Sequence, residues 1–291
     1  MELLPVSMVQ VYIHNIFQLN VMDKVLSGFI DTFMQEKDIS NSNKRWSESE
    51  AAAAVEEMRK FLDHLQGFMQ DCFFLDCVEI YVFFGRKVPK KTQKMLRSTS
   101  SPKSFPPSPS IHNQENGSLQ ATNDLQSQEV NKYIDEDEMR NAISAAIRKQ
   151  IEIEIYFPCS TVLGHILDKA YYRPEKDIRH IIHCIVNQPQ SFYGISVDHI
   201  SPSSWENAVS SLKDIRSKAL PFDRIECLLS VAKDIPRIYK NEHFDSKEQQ
   251  KALGADDILP VFIYILVRAQ IPSLLALNQE LQAFCDPERR L

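Results

Sequence analysis

Two groups of residues in this sequence have the types and spacing to do chemistry. Asp256 and Asp257 stand side by side in "GADDILPVFIYILVRA" (residues 254–269), directly before its most apolar run. Pro260 lacks an N–H, is tolerated in a first helical turn and costs about 3 kcal/mol deeper inside, so a helix is predicted to begin near Asp256. Both carboxylates then lie at the positive end of the helix dipole, stabilised by roughly 0.3–1 kcal/mol each. One acid would serve as a cap, and the second is a charge that a rigid helix can present to a partner. Beyond Pro260 the helix is apolar all round, the pattern of a buried central helix. The second group is "RHIIHC", which gathers His180, His183 and Cys184 within one helical turn. A histidine pair with a thiol could start a metal site, but no His-Glu-x-x-His pattern or further ligand cluster accompanies it. Structural or surface histidines are the favoured reading, and no metal is expected.

A third stretch, "LPFDRIECLL" (residues 220–229), reads as a helix start. Pro221 favours an extended entry, Asp223 can cap, and Glu226 completes an acidic variant of the capping box. Arg224 then falls in the first turn, where a cation opposes the dipole. Either it has a specific partner or it faces solvent. No nucleophile elbow, Walker loop or dinucleotide fingerprint occurs, so no cofactor is expected and function by protein contact is the better reading.

Composition narrows the class. The chain has 291 residues, 43% apolar and 25% charged, with only seven glycines, which favours helix over glycine-dependent β or nucleotide-cradling folds. A net charge of -6 argues against nucleic acid as the main partner, and the local basic run Lys87–Lys94 reads as a solvated segment. Six cysteines without a C-x-x-C pair indicate reduced thiols. The first residues lack a signal-peptide pattern, and the longest apolar run, Ile258–Val267, is about half of what a membrane span needs. An intracellular chain with no transmembrane segment is expected.

The elements that must position these residues are helical. Apolar positions from Val11 to Phe33 recur at helical spacing, and Ser47-x-x-Glu50 opens a second helix through "AAAAVEEMRKFLDHLQGFM". Its continuation "FFLDCVEIYVFF" is ambiguous between helix and strand, with Pro89 as the stop. Two long antiparallel helices are therefore predicted for the N-terminal region, residues 1–97. Residues 98–130 are rich in Ser, Pro, Asn and Gln and read as a disordered linker. From residue 131 a helix with acids in its first turn runs into "IEIEIYF", whose two-residue alternation is too short and unpartnered to be a strand. Further helices are predicted near 160–171, 175–187, 203–217, 223–240, 256–269 and 273–284. The fold class is all-α.

The two motifs together resemble the Vps-nine (vacuolar protein sorting nine) domain, a guanine-nucleotide exchange module for early-endosomal GTPases of the Rab-five group. Ala255, Asp256, Asp257, Ile258, Leu259 and Pro260 match its Ala-Asp-acidic-aliphatic-Leu-Pro pattern. Pro221, Asp223, Arg224, Cys227 and Leu228 match its upstream pattern, with arginine in place of lysine. The similarity covers roughly residues 140–291, and residues 1–97 carry no motif of the family. The resemblance implies a multi-helix bundle of the exchange-domain type with an N-terminal helical lobe. It implies that Asp256 enters the nucleotide site of a Rab-five-group GTPase with support from Asp257. Pro260, Ile271, Pro272, Pro221, Asp223 and Arg224 would belong to the GTPase-binding surface. A cytoplasmic protein recruited to early endosomes through partners is implied. A non-catalytic Rab-binding adaptor is the alternative. Family members continue past the equivalent of "FCDPERRL" into a Gly-Tyr-Tyr-type motif and a last helix, so the chain reads as an incomplete exchange domain.

Overall fold

The computed structural model describes residues 4–37, 44–84, 136–243 and 253–285. The expected linker at 98–130, the basic run at 87–94, Pro89 and the terminal residues 286–291 lie outside the described residues. All regular structure among the described residues is helical. The helices are α1 (Leu4–Phe17), α2 (Asn20–Glu36), α3 (Glu48–Phe84), α4 (Glu136–Ile151), α5 (Phe157–Ala170), α6 (Tyr172–Ile185), α7 (Glu206–Lys213), α8 (Pro221–Glu242), α9 (Ala255–Ala269) and α10 (Leu274–Phe284). A π-helical turn, Glu152–Tyr156, joins α4 to α5, and three short 3-10 segments lie at Gln190–Tyr193, Val197–His199 and Asp214–Ser217.

The chain forms two compact units. One unit comprises Met1–Asn15 and Phe68–Ile147, the other Ile16–Gly67 and Arg148–Leu291. In the first, Val9, Ile13, Met69, Cys77, Val78, Tyr81, Met139, Ile143 and Ile147 are buried. Their three-to-four-residue spacing is what makes "FFLDCVEIYVFF" helical to Phe84, because burial on one face outweighs its β-branched propensity. Tyr12 donates to Asp76 Oδ2 at 2.6 Å and Gln70 to Ser144 Oγ at 3.0 Å.

In the second unit, α3 opens with the predicted capping box. Glu50 N–H donates to Ser47 Oγ at 3.2 Å, and Ser47 N–H to Glu50 Oε2 at 2.8 Å. Phe29 of α2 stacks on Phe61 of α3 with ring centroids 3.8 Å apart. The single helix expected across Val11–Phe33 is instead two. Leu19 is extended (φ -67, ψ 135) and exposed, a break that no glycine or proline announces. "IEIEIYF" is helical as expected, but with a widened register. Pro158 has no N–H and would clash with the carbonyl four residues back in an α-helix, and the π turn, with Phe157 N–H donating to Glu152 O, accommodates it. The central core gathers Trp205, Val209, Leu212 and Ile215, Val231 and Ile235 of α8, and Val261, Tyr264 and Ile265 of α9.

Candidate functional site

Helix α9 begins at Ala255 with Gly254 as its N-cap, one residue before the predicted start. The two aspartates do different work. Asp257 turns back so that Gly254 N–H donates to its Oδ2 at 3.0 Å, closing the cap. Its other oxygen lies 3.5 Å from His199 Nδ1, on a histidine that is itself buried. Asp256 is exposed, and its carboxylate has no hydrogen-bond or ion-pair partner among the described residues. The cap thus uses one acid and leaves the other on a fixed tip.

The helix behind that tip is not buried all round, contrary to the pattern of its sequence. Val261, Tyr264, Ile265, Val267 and Ala269 face the core, while Leu259 is 62% and Ile263 42% exposed. Asp256, Leu259, Ile263, Leu266 and Gln270 follow at spacings of three, four, three and four, so they share one side of the helix as a ridge, exposed at Asp256, Leu259, Ile263 and Gln270 and partly packed on the core at Leu266. Pro260, half-buried, lies in the second turn rather than the first, inside the helix, where its missing N–H forgoes the i→i−4 hydrogen bond to the carbonyl of Asp256.

Ile271 and Pro272 lie past the far end of this ridge, about 20 Å from Asp256 at 1.5 Å per residue. Gln270 and Ser273 are both left-handed (φ 49 and 50), which folds the chain sharply between α9 and α10. Two charged residues far away in sequence hold this turn. Arg216 donates to Pro272 O at 3.0 Å and to Ser273 O, and Glu175 accepts Leu274 N–H and Leu275 N–H at 3.0 and 2.9 Å. Burial lowers the Arg216 pKa, and Glu280 and other acids oppose that shift. Ile271 is buried in the core, whereas Pro272 is exposed.

At the head of α8 the sequence reading needs correction. The helix starts at Pro221, two residues before Asp223, with Leu220 extended as its N-cap and no side-chain cap of its own. Proline's fixed φ suits the first helical position, and the Asp223–Glu226 box is therefore not formed. A buried acid from the π turn does the capping: Phe222 N–H donates to Glu152 Oε2 at 2.8 Å. Arg148, also buried, holds Glu152 at 2.9 Å and reaches Asp63 Oδ1 at 2.9 Å and Phe284 O at 3.3 Å. Burial pushes the Glu152 carboxyl up, against the pull of Arg148. Asp223 pairs with Lys149 at 3.4 Å.

Arg224 does have a specific partner, and it is internal. Its guanidinium pairs with buried Glu280 of α10 and donates to Lys218 O at 2.9 Å. Tyr156 donates to the same Glu280 oxygen at 2.6 Å. Burial first, then the Glu280 charge, holds the Tyr156 hydroxyl well above its ordinary pKa. Pro221, Asp223 and Arg224 are thus engaged in joining α8 to its neighbours.

His180 and His183 are exposed on α6 and line a cleft of about 520 Å³ with Gln270, Ile271 and Pro272. Cys184 Sγ lies 3.9 Å from His180 Nε2, and no trio of His, Cys, Asp or Glu close enough to hold a metal occurs among the described residues. Sequence reasoning missed His199, Glu175 and Arg216, whose partners lie far away in the chain, and the exposure of Leu259 and Ile263.

Comparison with known proteins bears on this same region. The human GTPase-activating protein and VPS9 domain-containing protein 1 is 28% identical over 86 residues, 30% of this chain and 6% of that protein. The Rab5 GDP/GTP exchange factor of Homo sapiens is 32% identical over 85 residues, 28% of this chain and 16% of that protein. Vacuolar protein sorting-associated protein 9A of Arabidopsis thaliana is 38% identical over 72 residues, 25% and 14% respectively. The chain therefore matches only a small part of each relative. No helix among the described residues is long and apolar enough to cross a membrane. The helices that build the core around α9 and carry Asp256 on its tip, residues 205–290, match the Vacuolar sorting protein 9 (VPS9) domain.

Proposed function

We propose that this chain is a guanine-nucleotide exchange factor that promotes GDP release from an early-endosomal GTPase of the Rab-five group, in endocytic membrane traffic. The observation that carries the reading is the division of labour at the α9 tip. Asp257 caps the helix, and Asp256 is exposed without a partner among the described residues at the head of an apolar ridge. A small GTPase holds GDP through its phosphates and Mg²⁺ against a P-loop lysine, with nanomolar or tighter affinity, about -12 kcal/mol or more. A carboxylate inserted there satisfies the lysine and opposes the phosphates. It stabilises the empty GTPase, and by linkage the GTPase then binds nucleotide more weakly. The ridge of Leu259 and Ile263 supplies the apolar surface on which the GTPase docks, with Pro260 below the tip and Pro272 past its far end. Buried Ile271 and Pro221, with Asp223 and Arg224, contribute by holding α8, α9 and α10 in place. The protein acts in the cytoplasm and is recruited to early endosomes. One measurement tests this: release of fluorescent GDP from a Rab of that group, with wild-type protein and Asp256→Ala. The variant is expected to fold normally and to lose exchange. Release as fast as wild type would overturn the assignment, and binding of the GTPase without accelerated release by the wild type would indicate an adaptor.

A further inference from the structure

A second site lies away from the α9 ridge, where the chain ahead of α3 meets the α5–α6 corner. Lys44, Arg45 and Trp46 from the first, Lys169 and Ala170 from the end of α5, and Tyr172 and Arg173 from the start of α6 line an open pocket of about 640 Å³. Among the described residues four cations and no carboxylate line it, in a chain whose acids outnumber its lysines and arginines by 39 to 33. Arg45, Lys169 and Arg173 are exposed and have no hydrogen-bond or ion-pair partner among the described residues. Lys44 sits 3.7 Å over the Trp46 ring, with the Glu50 charge also bearing on it. Trp46 is buried and forms a rigid wall, while Tyr172 is 68% exposed at the rim.

This arrangement is costly to the protein alone. Like charges brought together repel, and Arg173 in the first turn of α6 opposes the helix dipole. Arg45, Lys169 and Arg173 hold nothing together among the described residues, unlike Arg148, Arg216 and Arg224. The volume suits one small ligand rather than a flat protein contact. We propose that Lys44, Arg45, Lys169 and Arg173 bind the phosphorylated headgroup of an anionic membrane lipid. The exposed tyrosine favours a membrane surface over a soluble partner, since an amphipathic ring at the rim suits the water–lipid boundary. A phosphopeptide fits less well, because the described residues, all helical where regular, offer no strand edge on which to extend it. None of its lining residues is among those assigned to exchange, so it would orient the protein on a membrane without taking part in nucleotide release.

Flotation of the full chain with phosphatidylcholine vesicles tests the proposal. One set carries a phosphatidylinositol phosphate, and a second carries phosphatidylserine at matched total charge. Wild-type protein is expected to float with the first set and more weakly with the second, and a soluble inositol polyphosphate is expected to displace it. Each cation near an anionic surface is worth about a fivefold change in partition, so Lys169→Ala with Arg173→Ala should weaken binding about 25-fold. The melting curve and solution exchange rate of that variant should match wild type, because both residues are exposed and outside the exchange surface. Failure of wild type to float, equal binding to both vesicle sets, or undiminished binding by the double variant would overturn the proposal. So would tight binding of inositol polyphosphate or of a phosphopeptide without any vesicle binding. Vesicle binding read beside solution exchange keeps the two assignments separate, since either can fail while the other stands.

Discussion

Replacing Glu280 with alanine removes the acceptor shared by Arg224 and Tyr156. The Arg224 and Glu280 side chains are only 11% and 5% exposed, so the arginine would be left largely buried without its counter-charge. Breaking a buried pair from one side costs about 3–5 kcal/mol. Arg224 keeps its bond to Lys218 O, which places the expected loss near the lower end, about 3 kcal/mol. That is a large share of a margin of about 5–15 kcal/mol. In melting temperature it corresponds to a fall of about 6–12 °C. Urea titration of Glu280→Leu, Arg224→Met and the double variant Arg224→Met with Glu280→Leu gives the coupling directly, with Glu280→Ala measured beside them. The apolar double variant should recover most of the loss, because no buried charge remains, with a coupling of about 2 kcal/mol or more. A cost below about 1 kcal/mol for Glu280→Ala, or an additive cycle, would refute a buried pair at this position. The same variants separate two roles for Arg224. If it acts by joining α8 to α10, Arg224→Met lowers stability and leaves exchange, measured well below the melting range, within a few-fold of wild type. If it contacted the GTPase directly, exchange would fall with stability unchanged.

Other expectations concern the α9 ridge and the thiols. Leu259→Ser with Ile263→Ser should alter stability by no more than about 0.5 kcal/mol per site, since both side chains are substantially exposed. Losing their docking area should cost about 1.5–3 kcal/mol in kcat/KM, a 10- to 100-fold drop in a nucleotide-release assay, and an unchanged value would exclude the ridge as the docking surface. Asp257→Ala should behave oppositely to Asp256→Ala, losing about 1 kcal/mol of stability with its cap while keeping measurable exchange, and equal effects of the two changes on stability would contradict the division of labour. Burial pushes the Cys159 thiol from 9.0 up to about 11. A raised pKa in the fold means that its stabilising contribution is present below the unfolded value and is lost as pH rises through about 11. Alkylation at about pH 8 should therefore mark exposed Cys72 and Cys184 first, and Cys159 only once denaturant is added, as read by peptide mass spectrometry.

What could be read from the sequence, and what could not, follows the range of each interaction. The Ser47–Glu50 box and the start of α9 were legible because cap and helix lie within four residues of each other. The α9 start fell within one residue of its expected place, although Pro260 proved to lie inside the helix and so did not set it. The start of α8 was misread because a local template, Asp223 to Glu226, competed with a cap supplied by Glu152, some seventy residues upstream. Glu175 at the head of α10 is a hundred residues from its acceptor role, and no local pattern could announce it. The break at Leu19 was illegible for another reason: the apolar spacing continues across it without a helix-breaking residue. Helix α9 shows the sharpest limit. An all-apolar helix predicts burial on average, but it does not say which apolar side chains the core leaves uncovered. Packing against α7 and α8 takes Val261, Tyr264 and Ile265 and leaves Leu259 and Ile263 outside. Exposed apolar side chains in line with an unpaired carboxylate offer nothing to the isolated fold. They lower free energy only when another surface covers them, so this ridge points to a partner more firmly than the acids alone do.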